Sequence, residues 1–130
     1  MLIDNEFINQ IIEKARTSPR LRVNFNLHNS LDSSVQRMIN ALEPGTIMPI
    51  HRHVHTDETY IILCGQIEIS IYNDDRKITN VYMLDTSIGH YGVNIPKNTW
   101  HGINVQQSGT VIFEVKEGPY TPLTPDNILN

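Results

Sequence analysis

Gly45-Thr46-Ile47-Met48-Pro49-Ile50-His51-Arg52-His53-Val54-His55-Thr56-Asp57-Glu58 is the stretch of this chain richest in metal-binding chemistry. On an extended strand, residues two apart point to the same face, so His51 and His53 project their imidazoles together. Glu58 opens the next strand after a tight corner and can turn its carboxylate back toward them. Much later, His101 heads another strand, directly after Pro96-Lys97-Asn98-Thr99-Trp100. If the strands close into a barrel, that strand lies beside the first. A lone buried histidine is more often a hydrogen-bonded core residue than a ligand, and two at strand spacing can occur on a surface by chance. A third histidine and a glutamate, each placed behind a turn signal, point instead to a metal. Three nitrogen donors and one oxygen donor suit a borderline first-row divalent ion such as Fe(II), Mn(II), Ni(II), Cu(II) or Zn(II). Such a set leaves coordination positions open for water or substrate.

Outward from this stretch, short runs rich in Ile, Val, Thr and Tyr alternate with turn residues, which is the pattern of strands. Strands are expected over residues 35–42, 60–63, 66–72, 77–84, 91–95, 100–105 and 110–115. Gly45, Gly65, Gly89, Pro96, Asn98 and Gly109 punctuate them. Many short strands with regular turn signals imply an all-β sandwich or barrel. Upstream, Ile3, Phe7, Ile8, Ile11, Ile12 and Ala15 fall on one helical stripe, with Asp4 as cap and Lys14 and Arg16 near the C-terminal dipole. Ser18-Pro19 ends this helix, because the residue before proline avoids helical angles. The expected organisation is a helical segment over 1–20 packed on a β-barrel over 21–130. The tail from Gly118, with Pro119, Pro122 and Pro125, reads as an extended strap.

Bulk composition limits the function classes. A chain of 130 residues, 39% hydrophobic and 18% charged, is of a size for one ordinary globular core. A net charge of -4 argues against general affinity for nucleic acid, which requires a basic face. No run of ~20 apolar residues that would cross a membrane occurs, and the N-terminus lacks the basic start and apolar stretch of a secretion signal. The single cysteine, Cys64, suits a reducing compartment, so a cytoplasmic protein is expected.

The spacing of the first stretch resembles the first cupin motif, G-x5-H-x-H-x3,4-E-x6-G, with Gly45, His51, His53, Glu58 and Gly65 in every fixed position. The second motif, G-x5-P-x-G-x2-H-x3-N, is matched in part. Pro96 and His101 are in place, and Asn98 replaces the glycine; Asn tolerates positive φ better than most residues. Gly89 and Gly92 miss the leading position, and Asn104 lies one residue early. Ser18-Pro19-Arg20, Asn24-Phe25-Asn26-Leu27-His28, Gln36-Arg37-Met38, Pro49-Ile50-His51-Arg52-His53 and Glu114-Val115-Lys116-Glu117-Gly118-Pro119-Tyr120 look like the WbuC-type cupins. These are small bacterial metalloproteins often associated with surface-polysaccharide synthesis. The resemblance implies a jelly-roll barrel with an added N-terminal helix and one divalent transition metal on His51, His53, Glu58 and His101. It also makes a homodimer a fair expectation.

Other residues are read from their chemistry. Arg37 lies within a strand, where a charge needs a partner or an open cavity, and its fork suits a carboxylate or phosphate. It is expected either to face an anionic ligand near the metal or to form an ion pair with Glu114 or Glu117. Arg52 alternates with His51 and His53 and should point away from the metal. Tyr60, Ile62 and Cys64 share strand parity with Glu58 and should line the same interior, with Cys64 a packing residue. His28 can reach the mouth of the barrel or belong to a polar turn; Lys116 joins the candidate substrate-binding residues with Arg37, His28 and Tyr60. His55 is either an accessory ligand or a rim residue, and one of His90 and Tyr91 can face the cavity.

Three functions fit these residues. The first is a metal-dependent isomerase or epimerase acting on a small sugar-derived or anionic substrate, with Glu58 as candidate catalytic group orienting water. The second is an Fe(II)-dependent oxygenase. The third is a non-enzymatic, metal-bearing domain that binds a sugar or organic acid. The fold alone does not choose among them.

Overall fold

Residues 35–42 show how alternation builds the molecule. In the computed structural model, which describes residues 1–129, they form strand β2 (Val35–Leu42). Gln36, Met38, Asn40 and Leu42 are buried on one face, and Ile39 and Ala41 on the other. A strand covered on both sides needs a layer on each. The opposing sheet supplies the first, and helix α1 (Asn5–Thr17) supplies the second. Ile11, Ile12 and Ala15 of α1 pack on Ile39, Ala41 and Val111, with Phe7 and Phe25 in edge-to-face contact at 5.0 Å. The Asp4 side chain accepts a hydrogen bond from the Phe7 N–H and caps the helix as its sequence predicts.

The other strands are β1 (Arg22–Asn26), β3 (Ile50–His51), β4 (Glu58–Cys64), β5 (Ile67–Tyr72), β6 (Ile78–Leu84), β7 (Gly92–Ile95), β8 (Trp100–Val105), β9 (Thr110–Glu117) and β10 (Ile128–Leu129). They form two five-stranded sheets, ordered β1-β2-β9-β4-β7 and β10-β3-β8-β5-β6, with antiparallel pairing throughout. The expected all-β barrel with one N-terminal helix is the observed fold. Between the sheets, Leu42, Ile62 and Ile112 meet Ile67, Ile69, Leu84 and Val105. Along the same inward rows the chemistry then changes. Register sets Glu58 opposite Lys116 and Tyr60 opposite Glu114 across β4 and β9, whereas Ile62 faces Ile112. One end of the barrel is therefore an apolar plug, and the other is polar and able to hold a ligand. Among the described residues no helix is long and apolar enough to cross a membrane.

Three local features depart from the sequence reading. Strand β1 lies in a stretch rich in Asn, yet it pairs along its length with β2, because an edge strand exposed on one side tolerates amides. Cys64 does not share the interior with Tyr60 and Ile62. A bulge between Ile62 and Cys64 breaks the alternation and turns Cys64 toward the helix-side cluster. The tail is more than a strap, since β10 pairs with β3, setting Ile128 opposite His51.

Gly65 makes the turn from β4 to β5 at φ 88°, and a Cβ built there would lie 2.5 Å from Thr110 Cα. Both the left-handed backbone and the backbone contact forbid a side chain. Gly65→Ala should destabilise the fold by about 3 kcal/mol, as strain and overpacking add. Urea unfolding of the two proteins side by side measures it, and a change under about 1 kcal/mol would contradict the packing described.

Candidate metal centre

Strands β3 and β8 bring the first and last histidines together: His51 and His101 are register partners, with ring centroids 4.4 Å apart. His53 lies just beyond β3, its ring 5.1 Å from that of His51. Its position is fixed from the second motif, where the Asn98 N–H donates to the His53 carbonyl at 2.7 Å. Asn98 has φ 63°, so it takes the backbone role expected of the missing glycine. The Lys97 N–H adds a bond to Asp57 Oδ1 at 2.8 Å. Glu58 starts β4 and closes the group, with Oε1 2.5 Å from His53 Nε2 and 3.6 Å from His101 Nε2. His51, His53 and Glu58 offer ligand atoms all within 4.8 Å of one another, a cluster that can hold a metal ion.

The hydrogen bonds around this cluster aim its lone pairs inward. His51 Nδ1 donates to the Pro49 carbonyl at 2.9 Å and His101 Nδ1 to the Thr99 carbonyl at 3.0 Å. A carbonyl only accepts, so in a neutral ring the proton sits on Nδ1 and Nε2 carries a free lone pair. Glu58 Oε2 accepts from the Tyr60 hydroxyl at 2.7 Å, which leaves Oε1 for the centre. Glu58 Oε1, apart from its contact with His53 Nε2, and His101 Nε2 are both sealed from solvent with no hydrogen-bond partner. Two buried acceptors left facing each other cost about 1–3 kcal/mol apiece, a cost that a cation between them removes. The donor set therefore fits a divalent ion.

Electrostatics favour the ligating protonation states. Burial, reinforced by the neighbouring His101, pushes the His51 imidazole down to about 4. Burial also lowers His101, outweighing the pull of Glu58 and the Thr99 carbonyl. Burial pushes Glu58 up, but the close approach of His53 and the charges of His101, His53 and Lys116 together hold it below the ordinary carboxylate range. At neutral pH the centre offers neutral His51 and His101 imidazoles beside an ionised carboxylate.

His51, His53 and Glu58 line a cavity of about 210 Å³. Tyr60 lines it, as its parity predicts, and so does Lys116. Glu114 lines it as well, a residue considered from sequence only as an ion-pair partner for Arg37. It is buried, its Oε1 accepts from Asn40 Nδ2 at 2.9 Å, and Lys116 Nζ is 3.5 Å from Oε2. Burial and the nearby Glu58 charge push the Glu114 carboxyl up to about 7. The signal was present in β9, where Ile112, Glu114 and Lys116 alternate with Val111, Phe113 and Val115; a carboxyl on an otherwise covered strand needs a polar interior.

Other candidates lie elsewhere. Arg37 sits on the outward face of β2, where Nη2 donates to the Leu27 carbonyl at 3.3 Å. The inward row of β2 is the even-numbered one, so the expectation that Arg37 faces the metal or pairs with Glu114 or Glu117 is not met. His28 is buried against that outward face, its Nδ1 accepting from the Arg37 N–H at 3.0 Å, and does not reach the cavity. Arg52 points away, with its guanidinium 4.2 Å over the Trp100 ring and Nε donating to Asn127 Oδ1 at 3.2 Å. His55, His90 and Tyr91 are exposed, and His90 Nδ1 donates to the Met83 carbonyl at 2.9 Å. Cys64 is a packing residue whose thiol burial pushes up.

Comparison with known proteins adds a family and a fold. The family described as "Domain of unknown function (DUF6016)" matches residues 3–84, a span that contains His51, His53 and Glu58. No curated protein matches the chain. Among solved structures, the chain is similar to KdgF from Halomonas sp., with 13% identity, TM-score 0.61 and coverage of 81% of this chain and 85% of that one. It is also similar to the Cnp3 cupin domain of Schizosaccharomyces pombe, with 12% identity, TM-score 0.59 and coverage of 74% and 64%. A Lactobacillus farciminis oxalate decarboxylase in complex with formate matches at 16% identity and TM-score 0.52, over 65% of this chain and 24% of that chain. At these identities the likeness establishes the cupin fold.

Metal retention should follow the four residues. His53→Ala and His101→Ala should each lower zinc affinity by more than the roughly 10- to 100-fold typical of an outer-shell contact, measured by chelator competition. Full occupancy in the double variant would remove these residues from the site. Protons compete with metal only where imidazole can be charged. Because His51 is held down to about 4 and His101 is also lowered, release during acid titration should have its midpoint below the free-histidine value of about 6.5. A midpoint at or above that value would contradict the burial of the two rings.

Proposed function

The chain belongs to the family described as "Domain of unknown function (DUF6016)", and on its cupin fold we propose a metal-dependent enzyme that moves a proton on a small anionic, sugar-derived molecule. The observation that carries this reading is a buried carboxylate oxygen, Glu58 Oε1, converging with the imidazole nitrogens of His53 and His101, with His51, His53 and Glu58 lining an open cavity. The proposed ligand set is His51, His53, Glu58 and His101. A divalent ion held there would supply Lewis-acid polarisation of a carbonyl or hydroxyl.

The chain's own residues do the rest. Tyr60 donates to Glu58 Oε2 and fixes the carboxylate so that its other oxygen faces the centre. Glu114 is the cavity's acid–base group that the ligand set does not consume. Asn40 holds its Oε1, and Lys116 lies beside its Oε2, which orients the carboxyl for proton exchange with a molecule lying in the cavity. The apolar plug of Ile62, Ile103 and Ile112 closes the far side and excludes bulk water. This arrangement favours isomerisation or epimerisation, in which one proton leaves and returns, over chemistry that needs a second substrate. The formate complex of the oxalate decarboxylase neighbour supports a small carboxylate as ligand. The resemblance to WbuC-type cupins supports a place in bacterial surface-polysaccharide metabolism.

Metal analysis of the protein purified from its native host, followed by a screen of nucleotide sugars and sugar phosphates for turnover, tests the reading. Glu114→Gln should keep the metal and lose about 10²- to 10⁴-fold in turnover. Turnover unchanged in that variant would remove Glu114 from the chemistry. Oxygen uptake by iron-loaded protein would replace isomerisation with an oxygenase reaction, and full metal without turnover across the screen would leave a binding domain.

A further inference from the structure

Two arginines that the metal centre does not use line the cavity. Arg20, which is exposed, and half-buried Arg22 share this lining with His51, His53 and Glu58. Between them Leu21 has φ 56°, an uncommon conformation for a bulky side chain. The surrounding chain holds it there. The Leu21 N–H donates to the Ser18 carbonyl at 3.0 Å, and the Leu21 carbonyl accepts from the Glu43 N–H at 2.9 Å. Arg20 is pinned on both sides, its N–H donating to Ser18 Oγ at 3.2 Å and its carbonyl accepting from Thr46 Oγ1 at 3.0 Å. The Leu21 side chain leans toward Gly45, where an added Cβ would come within 3.2 Å of its Cδ1. Leu21 is thus directed to the Gly45 corner, while the arginines on either side of it line the cavity.

Neither arginine forms an ion pair among the described residues. Arg22 Nη1 donates to the Ile47 carbonyl at 3.3 Å, which anchors one arm of its fork and leaves the rest of the guanidinium without a carboxylate. The acidic groups that line the cavity, Glu58 and Glu114, are engaged with the histidines and Tyr60 and with Asn40 and Lys116. Burial and the charge of Arg20 both disfavour the Arg22 cation, so the pair stands as concentrated positive charge in a chain whose net charge is -4. Positive charge held in a concave wall by a constrained backbone is suited to an anion, which guanidinium forks meet with parallel hydrogen bonds.

We propose that Arg20 and Arg22 form an anion clamp in the cavity wall, gripping a carboxylate or phosphate on one end of a molecule whose other end reaches the metal centre. The second half rests on the metal-dependent reading above; the clamp itself does not. The ligand is then two-headed, with a metal-seeking oxygen group at one end and a full anion at the other, and Arg37 takes no part in holding it.

Calorimetric titration of the metal-free full chain with inorganic phosphate and, separately, with malonate tests the clamp and tells the two anions apart. The preferred anion should bind about tenfold or more weakly to the Arg20→Gln, Arg22→Gln double variant. Arg37→Gln, which removes the same kind of charge from the outward face, should leave binding unchanged. Arg22→Lys keeps the charge without the fork and should fall between wild type and the double variant, so it reads the clamp even if the double variant misfolds. Zinc retention, measured on each variant, should equal wild type; its loss from wild type itself would fail the metal reading and leave the clamp standing. With zinc bound, 2-phosphoglycolate should bind wild type more tightly than inorganic phosphate does, and glycolate, which offers only one anionic end, should lose less than phosphoglycolate in the double variant. Absence of phosphate and malonate binding by wild type, or an equal loss in Arg37→Gln, overturns the proposal.

Discussion

The structure turns on the desolvation of one carboxylate. Glu58 is almost wholly buried, yet its environment holds it ionised. An isolated buried carboxylate would cost several kcal/mol, so everything around it must return that energy. Tyr60 supplies a hydrogen bond to one oxygen, and three imidazoles converge near the other. Burial disfavours the charged forms of His51 and His101, so these two rings meet the carboxylate chiefly as lone-pair donors. Such a group is electrostatically incomplete without a positive ion, and that incompleteness is what fits it to hold a metal.

The rest of the fold serves this polar end. Inward rows that begin as Ile and Leu end in Glu, Lys and His, so the barrel is plugged at one end by close-packed hydrocarbon and open to a ligand at the other. Strand β3, which carries His51, has only two residues and would be a weak ladder alone. It is flanked by β8 on one side and by β10 on the other, and Arg52 stacks on Trp100 while bonding to Asn127. The C-terminal tail is thus part of the scaffold of the candidate metal centre. Helix α1 covers the opposite face of the first sheet, which lets β2 and β9 be apolar on one side and carry site residues on the other.

Much of this was legible from the residues. The spacing of His51, His53, Glu58 and Gly65 located the candidate ligands, because strand periodicity and turn chemistry are local properties. Strand bounds at 35–42 and 100–105 agree with the observed β2 and β8. Parity placed Tyr60 in the cavity and turned Arg52 away from it. Parity failed at Cys64, where one bulge inverted the alternation, and at Arg37, where no local feature told which row of β2 faces inward. Both rows of β2 mix polar and apolar residues, Gln36 and Asn40 on one and Arg37 on the other, so polarity does not orient the strand.

The sequence by itself therefore determined the alternation, the turns and the set of metal-seeking side chains, all of which depend on neighbours a few residues away. Only the tertiary structure decided which rows face the cavity, that Glu114 and Lys116 belong to its wall, that Arg20 and Arg22 rather than Arg37 line it, and that the tail supports the His51 strand. Those facts depend on register between segments separated by up to most of the chain. Register is chosen by the joint burial of whole faces, a quantity that no single segment contains.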